Sequence, residues 1–277
     1  MQTVPELFDT HCHLGMDPLR QNVLEVLARA RAKGVRYAIN VAIGSSFEEI
    51  ERQLHEFSGL DDVYMALGVH PHDADVFPLG CLGDVRKLLD QPKVVAIGEV
   101  GLDLYYRSDN LAAQKALFAG FLGLAQETGL PVVIHSRDAC SETMDILRAF
   151  PKGALGGVFH CFSYSLEVAQ EALERGFLVS FAGNITFKRS VALREVARDL
   201  PLEGLILETD APFLAPEPFR GKPNETAYVL ETARVLSEVK RISPETVARV
   251  TTANAIKLFK IEAVQAEVVR QKSTTPP

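Results

Sequence analysis

ELFDTH at 6–11, RYAINVA at 36–42, YMALGV at 64–69 and VVAIGEV at 94–100 are the first four of a series of short apolar runs whose recurrence decides the fold. LPVVIH at 130–135, GGVFHC at 156–161, FLVSFA at 177–182 and GLILETD at 204–210 complete it. Each run is rich in β-branched residues and too short for a helix, so each reads as a strand. Amphipathic segments lie between them. Residues 18–33 place Leu19, Val23, Val26, Leu27 and Ala30 on one stripe and end at Gly34. Helical spacing returns at 111–128 and 166–175, where Gly129 and Gly176 supply C-terminal stops and Ser163 or Ser165 is placed to cap the second. Strands alternating with helices imply parallel pairing through right-handed crossovers. Eight such units predict a closed (β/α)₈ TIM barrel, an α/β fold, rather than an open doubly wound sheet, and no GxGxxG follows the first strand. Helical patterns at 224–239 and 244–259 would close the outer ring. The barrel is expected to occupy 1–265 as one domain, and 266–277, ending QKSTTPP, reads as a frayed tail.

Composition narrows the function. The 277 residues are 47% hydrophobic, with no apolar stretch long enough to span a membrane. The N-terminus lacks the basic-then-apolar layout of a signal peptide, so a cytoplasmic location is expected. Cys12, Cys81, Cys140 and Cys161 show no CxxC spacing and read as free thiols. A formal net charge of −7 argues against a broad basic DNA-reading surface, while leaving room for a local cluster of cations on one or two phosphates.

A barrel carries its chemistry on the loops that follow its strands. The chain has seven histidines. His11 and His13 fall at the end of the first strand, His70 and His72 after the third, His135 at the end of the fifth and His160 at the end of the sixth. Only His55 falls inside a helical pattern, whereas Glu99 and Asp210 end the fourth and eighth strands. In HxH both imidazoles face the same side of an extended strand and so point into the barrel mouth; Cys12 faces away, and the same alternation turns Cys161 from His160. Imidazoles and carboxylates without thiolate suit Zn²⁺ or Mn²⁺, and can host Mg²⁺ completed by water. The ligands exceed what one catalytic zinc needs, so two divalent ions sharing a carboxylate, roughly 3.5–4 Å apart, fit better.

At these residues the chain resembles the TatD family of metal-dependent deoxyribonucleases, within the amidohydrolase-like barrel group. The segments that carry the resemblance are DTHCHL at 9–14, ALGVHPH at 66–72, IGEVGLD at 97–103 and IHSRDA at 134–139. HCFS at 160–163, ITFK at 185–188, ETDAPFLAP at 208–216 and RGKPNE at 220–225 follow in the family's order. The resemblance implies that His11, His13, Glu99 and Asp210 hold one metal, that Glu99, His135 and His160 hold the second with Glu99 bridging, and that Asp210 orients or deprotonates the attacking water. It also implies phosphodiester hydrolysis, trimming single-stranded DNA from its 3′ end. Leu104, Tyr164, Pro223 and Thr226 depart from the commonest family pattern, on the rim rather than at a proposed ligand.

The remaining polar residues divide by position. Arg137 is placed to bind a phosphate, with a loop salt bridge to Asp138 or Asp103 as the alternative. Lys188 is placed to neutralise another. His70 and His72 read as substrate contacts or as donors that orient a ligand. Asp103 and Glu208 read as supports of the site. Asn224 and Glu225 read either as helix caps or as substrate contacts at the site's border. Tyr105, Tyr106, Phe162 and Tyr164 stand just past strand ends, where they can stack on unpaired bases or pack the loops. The competing function is hydrolysis of a small-molecule ester, lactone or amide, because the same metal geometry polarises carbonyls.

Overall fold

In the computed structural model, which describes residues 6–262 and 265, eight parallel strands lie in chain order around one sheet. They are β1 (Leu7–Cys12), β2 (Val35–Ala42), β3 (Val63–Leu67), β4 (Val94–Asp103), β5 (Val132–Arg137), β6 (Gly157–Phe159), β7 (Phe177–Phe181) and β8 (Leu205–Leu207). Helices α1 (Val23–Ala32), α2 (Phe47–Phe57), α3 (Cys81–Leu88), α4 (Leu111–Thr128) and α5 (Cys140–Arg148) pack outside. So do α6 (Leu166–Arg175), α7 (Val191–Asp199), α8 (Val229–Lys240) and α9 (Pro244–Leu258). The expected (β/α)₈ barrel is the observed fold. No helix among the described residues is long and apolar enough to cross a membrane.

Strand alternation divides the core into two layers. Leu7, Ala38, Met65, Ile97, Ile134, Phe159, Val179 and Leu205 face the helices. Phe8, Ile39, Ala66, Ala96, Val133, Val158 and Ile206 fill the interior, closed below by Phe259 and Ile261 beyond α9. Fully burying the larger of these, the valine, leucine, isoleucine, methionine and phenylalanine side chains, contributes about 1.5–3 kcal/mol each.

The barrel closes through a short seam. Cys12 bridges Ala211 in parallel, the Asp210 amide donates to His11 O at 2.9 Å, and the His13 amide donates to Ala211 O at 2.7 Å. Below it the buried Asp9 carboxylate accepts the Thr209 amide at 2.9 Å and its hydroxyl at 2.7 Å. Burial raises the Asp9 carboxyl to about 7, against those hydrogen bonds. The seam thus joins HxH and Asp210 directly.

Bulges, which residue spacing alone does not reveal, then aim the site. Asp9 pairs with Ala38 and Cys12 with Asn40, so β1 carries one extra residue, and Phe8 and His11 can both face inward. In β4, Ile97 pairs with Val132 and Val100 with Ile134, which turns Glu99 into the barrel between two outward residues. The backbone passes very close here: a Cβ on Gly101, at φ +147°, would lie 1.9 Å from the His135 carbonyl oxygen.

Some boundaries differ from the sequence reading. The segment expected as one helix over 18–33 begins with a 3-10 turn at Arg20–Asn22, because Asn22 leaves helical geometry at φ −140°, and α1 starts at Val23. Gly34, Gly129 and Gly176 do end their helices at positive φ, while Ser165 occupies the N-cap of α6 without accepting a side-chain bond. The helix expected from 224 starts at Val229, after a turn at Thr226–Tyr228. β6 ends at Phe159, and Cys161 adopts φ 45°, so strand alternation does not govern it. Its amide donates to Glu208 Oε1, the oxygen that also faces His160 Nδ1, so Cys161 lies beside the site, and its thiol is pushed up by burial and by Asp210, Glu208 and Glu99. The tail expected over 266–277 lies outside the described residues.

Gly101→Ala tests the close approach of β4 and β5. We expect it to cost about 2–5 kcal/mol through combined backbone strain and overpacking. Urea unfolding measures this, and wild-type stability would refute the steric account.

Candidate metal centre

Six of the seven histidines form a continuous chain of rings at the mouth. His13 meets His11 at 5.0 Å between centroids, His11 stacks on His160 at 4.1 Å, and His160 lies 5.4 Å from His135. His70 follows at 4.7 Å from His135, and His72 at 4.3 Å from His70. His55 stands apart on the exposed side of α2.

Glu99 lies at the centre of this arc, 2% exposed. Its two oxygens serve opposite sides. Oε2 lies 3.3 Å from His11 Nε2 and 3.9 Å from His13 Nε2. Oε1 lies 2.5 Å from His135 Nδ1, 2.7 Å from His160 Nε2 and 3.7 Å from His70 Nε2. Asp210 Oδ1 joins the first side at 3.4 Å from His13 Nε2 and 3.7 Å from His11 Nε2. Among the described residues, three groupings could hold a metal: His11, His13 and Glu99; His11, His160 and Asp210; and His70, Glu99 and His135. His70, expected as a substrate contact, therefore stands within reach of the second side.

The surroundings fix which ring nitrogens face inward. His13 Nδ1 lies 3.2 Å from Val41 O and must donate there, leaving the Nε2 lone pair aimed at the centre. His135 Nε2 donates to Asp103 Oδ2 at 3.1 Å, so its Nδ1 faces Glu99. Glu208 Oε1, 3.4 Å from His160 Nδ1, orients the third ring the same way. Lone pairs thus confront carboxylate oxygens, an arrangement that only protons or cations stabilise. Burial pushes the His160 and His135 imidazoles down, but Glu99 together with Glu208 beside the first, and Glu99 together with Asp103 beside the second, outweigh it and raise both. Burial likewise pushes Glu99 up, yet His160, His11, His70 and His135 hold it well below the usual carboxylate range. A divalent ion held by these residues would take the place of those protons. Tetrahedral donors at about 2.1 Å from one ion stand about 3.4 Å apart, which suits the 3.3 Å between His11 Nε2 and His13 Nε2.

Backbone conformation supports the same region. Asp138, Cys161 and Asp210 all adopt positive φ, at 52°, 45° and 57°. Non-glycine residues held in this sparsely populated region gather where surrounding structure over-determines them, often at functional sites.

The expected rim residues have different fates. His72 Nε2 donates to Asp103 Oδ2 at 2.8 Å, so it shares the carboxylate that orients His135. Arg137 is exposed, and among the described residues it makes no ion pair, so the alternative bridge to Asp138 or Asp103 is not formed; its guanidinium lies instead over Tyr105 and Tyr106. Lys188 is exposed on the loop after β7. Two expected substrate contacts have partners within the chain itself. Asn224 is fully buried, donating to Thr209 O and Phe213 O at 2.8 and 2.6 Å, because it ties down the loop that carries Asp210. Glu225 pairs with Arg29 of α1 at 2.8 Å, on the helical layer. Neither caps a helix by its side chain. Phe162 is buried, and the Tyr164 hydroxyl bonds Ser136 at 2.8 Å, so both pack the loops. The support that sequence reasoning missed is Asp9. A carboxylate inside an apolar strand, two residues before HxH, was the available signal.

Asp103→Ala frees the His135 ring and is expected to weaken metal affinity on that side by about 10–100-fold. Competition against a chromophoric chelator measures it, and unchanged affinity would remove Asp103 from the orienting role.

Comparison with known proteins shows the family of the chain. A family model described as TatD related DNase matches residues 8–260. The uncharacterized metal-dependent hydrolase YabD of Bacillus subtilis is 40% identical over 92% of this chain and 99% of its own length. The 3'-5' ssDNA/RNA exonuclease TatD of Klebsiella pneumoniae is 32% identical, over 92% of this chain and 98% of its own. Among solved structures, the TatD homolog YJJV of Escherichia coli K12 superposes with a TM-score of 0.86 at 32% identity, covering 93% of this chain and 99% of that one. With the family model spanning almost the whole barrel, the chain belongs to the TatD family of metal-dependent hydrolases.

Proposed function

We propose that this hydrolase cleaves phosphodiester bonds of single-stranded nucleic acid, removing nucleotides from the 3′ end of DNA, with two divalent ions (Zn²⁺, Mn²⁺ or Mg²⁺) as cofactors. The observation that carries the proposal is the division of Glu99, with Oε2 among His11, His13 and Asp210 and Oε1 between His135 and His160. On this reading His11, His13, Glu99 and Asp210 hold one ion, and Glu99, His135 and His160 the other. Bound there, such ions make water acidic enough to yield hydroxide near neutral pH and offset charge on the phosphoryl oxygens. The similarity to a relative named as a 3'-5' ssDNA/RNA exonuclease supports the substrate class.

The chain's own groups divide the remaining work. Asp210 is the carboxylate that an incoming water reaches, with its side chain 14% exposed against 3% for Glu99 and 1% for Glu208. Burial pushes its carboxyl up, but His13, His160 and His11 hold it below the usual range, so it stays ionised. It is then placed to orient the water and accept its proton. Arg137, Lys188 and Arg220 are exposed at the mouth and make no ion pair among the described residues. Unpaired cations beside a metal centre suit a substrate with several phosphates. The net charge of −7 does not oppose this, because the cations are local.

An end-labelled single-stranded oligonucleotide, with Mg²⁺, Mn²⁺ or Zn²⁺ and an EDTA control, tests the proposal. We expect a metal-dependent ladder growing from the 3′ end; folded, metal-loaded protein that cuts nothing would contradict it. Asp210→Asn should lower turnover by about 100-fold or more while keeping the fold, as judged by circular dichroism. Arg137→Ala should lower kcat/KM by roughly 10–100-fold, the scale of one charge-assisted hydrogen bond. Wild-type turnover by the Arg137 variant would favour a small-molecule ester, lactone or amide instead.

A further inference from the structure

Three exposed aromatic side chains among the described residues, Tyr105, Tyr106 and Phe213, stand at the barrel mouth, at 58%, 60% and 48% exposure. Phe213 meets His13 edge-on at 5.9 Å. Tyr105 and Tyr106 stand on the other side of the centre, following β4. Their rings meet edge to face, 4.7 Å apart at 88°. The Arg137 guanidinium lies 4.2 Å from one ring centroid and 4.7 Å from the other. Tyr106 also meets His72 edge-on at 5.4 Å.

The backbone beneath these rings is firmly held. Both tyrosine amides donate to Asp103 Oδ1, at 2.9 and 2.8 Å. Gln114 accepts from the Asp103 amide at 2.8 Å and donates to the Asp103 carbonyl at 3.1 Å. The other oxygen of Asp103 receives His135 Nε2. One carboxylate therefore sets both the tyrosines and a ring of the metal centre, and anything resting on the tyrosines keeps a fixed offset from that centre. A fixed backbone carrying solvent-facing rings differs from loop packing, the role that buried Phe162 and hydrogen-bonded Tyr164 fill.

We propose that Tyr105 and Tyr106, with Arg137, form a shelf that holds one unpaired nucleotide of the substrate, its base on a tyrosine ring and its phosphate at the guanidinium. The proposal rests on the nucleic-acid reading above and deepens it by naming a base-holding subsite. Every base has a flat π-face, so the shelf accepts any sequence; a base inside a duplex is already stacked and cannot reach it. The site then selects single strands through these rings.

The test compares two oligonucleotides, one ordinary and one with tetrahydrofuran abasic residues at the positions nearest the attacked end. Metal-loaded wild-type enzyme should show kcat/KM roughly 5–100-fold higher on the ordinary strand, the scale of base–aromatic stacking. The double variant Tyr105→Ala, Tyr106→Ala should lose that advantage and match wild type on the abasic strand. Tyr105→Phe, Tyr106→Phe, which keeps the rings, should restore it. A wild type that cuts both strands equally well, or an alanine variant that loses equally on both, overturns the shelf alone. A wild type that cuts neither contradicts the nucleic-acid reading, and the shelf falls with it.

Discussion

A carboxylate buried among imidazoles governs this molecule. Taking Glu99 out of water is expensive unless its charge is matched on the spot, and its two oxygens meet nitrogen donors on opposite sides within 2.5–3.9 Å. The barrel's irregularities serve that meeting. The bulge in β4 turns Glu99 inward, the absence of a Cβ at Gly101 lets β4 approach the His135 carbonyl, and the seam between β1 and the segment after β8 fixes HxH against Asp210. An outer layer of Asp103, Glu208 and the Val41 carbonyl then sets which nitrogen of His135, His160 and His13 faces the centre. A ring free to rotate or change tautomer would present an N–H instead of a lone pair.

The same outer layer couples the centre to its surroundings. Asp103 receives His135 and His72 on one oxygen and two backbone amides on the other, so its own carboxyl is held far below the usual range despite burial that pushes it up. Positioning of the reaction centre and positioning of the rim are thereby one problem with one solution. This explains how loops after several different strands can hold one geometry: each is tied to a neighbour by a buried polar side chain, Asp9 to Thr209, Asn224 to Phe213, Glu208 to the Cys161 amide.

Much of this was legible in the sequence. Apolar runs alternating with helical stripes specify the barrel, since period and length survive in a bare list of residues, and HxH reports its inward pair because a strand has period two. Register does not survive in the same way. Glu99 is not at the end of its strand but within β4, which continues to Asp103, and Phe8 and His11 share an interior face only because a residue is inserted between them. The seam's partners, Asp9 and Thr209, are 200 residues apart, beyond any local pattern. Asn224 and Glu225 looked functional for being polar beside a motif, whereas burial of one and the Arg29 pairing of the other give them structural work.

The central claim is that Glu99 is shared by two ions, and metal analysis of purified, metal-saturated protein tests it directly. Wild type should retain two equivalents of divalent ion per chain, His135→Ala should lose the ion on its own side, and Glu99→Gln should release both, each variant remaining folded by circular dichroism. A folded Glu99→Gln protein that still holds two equivalents would contradict the shared carboxylate.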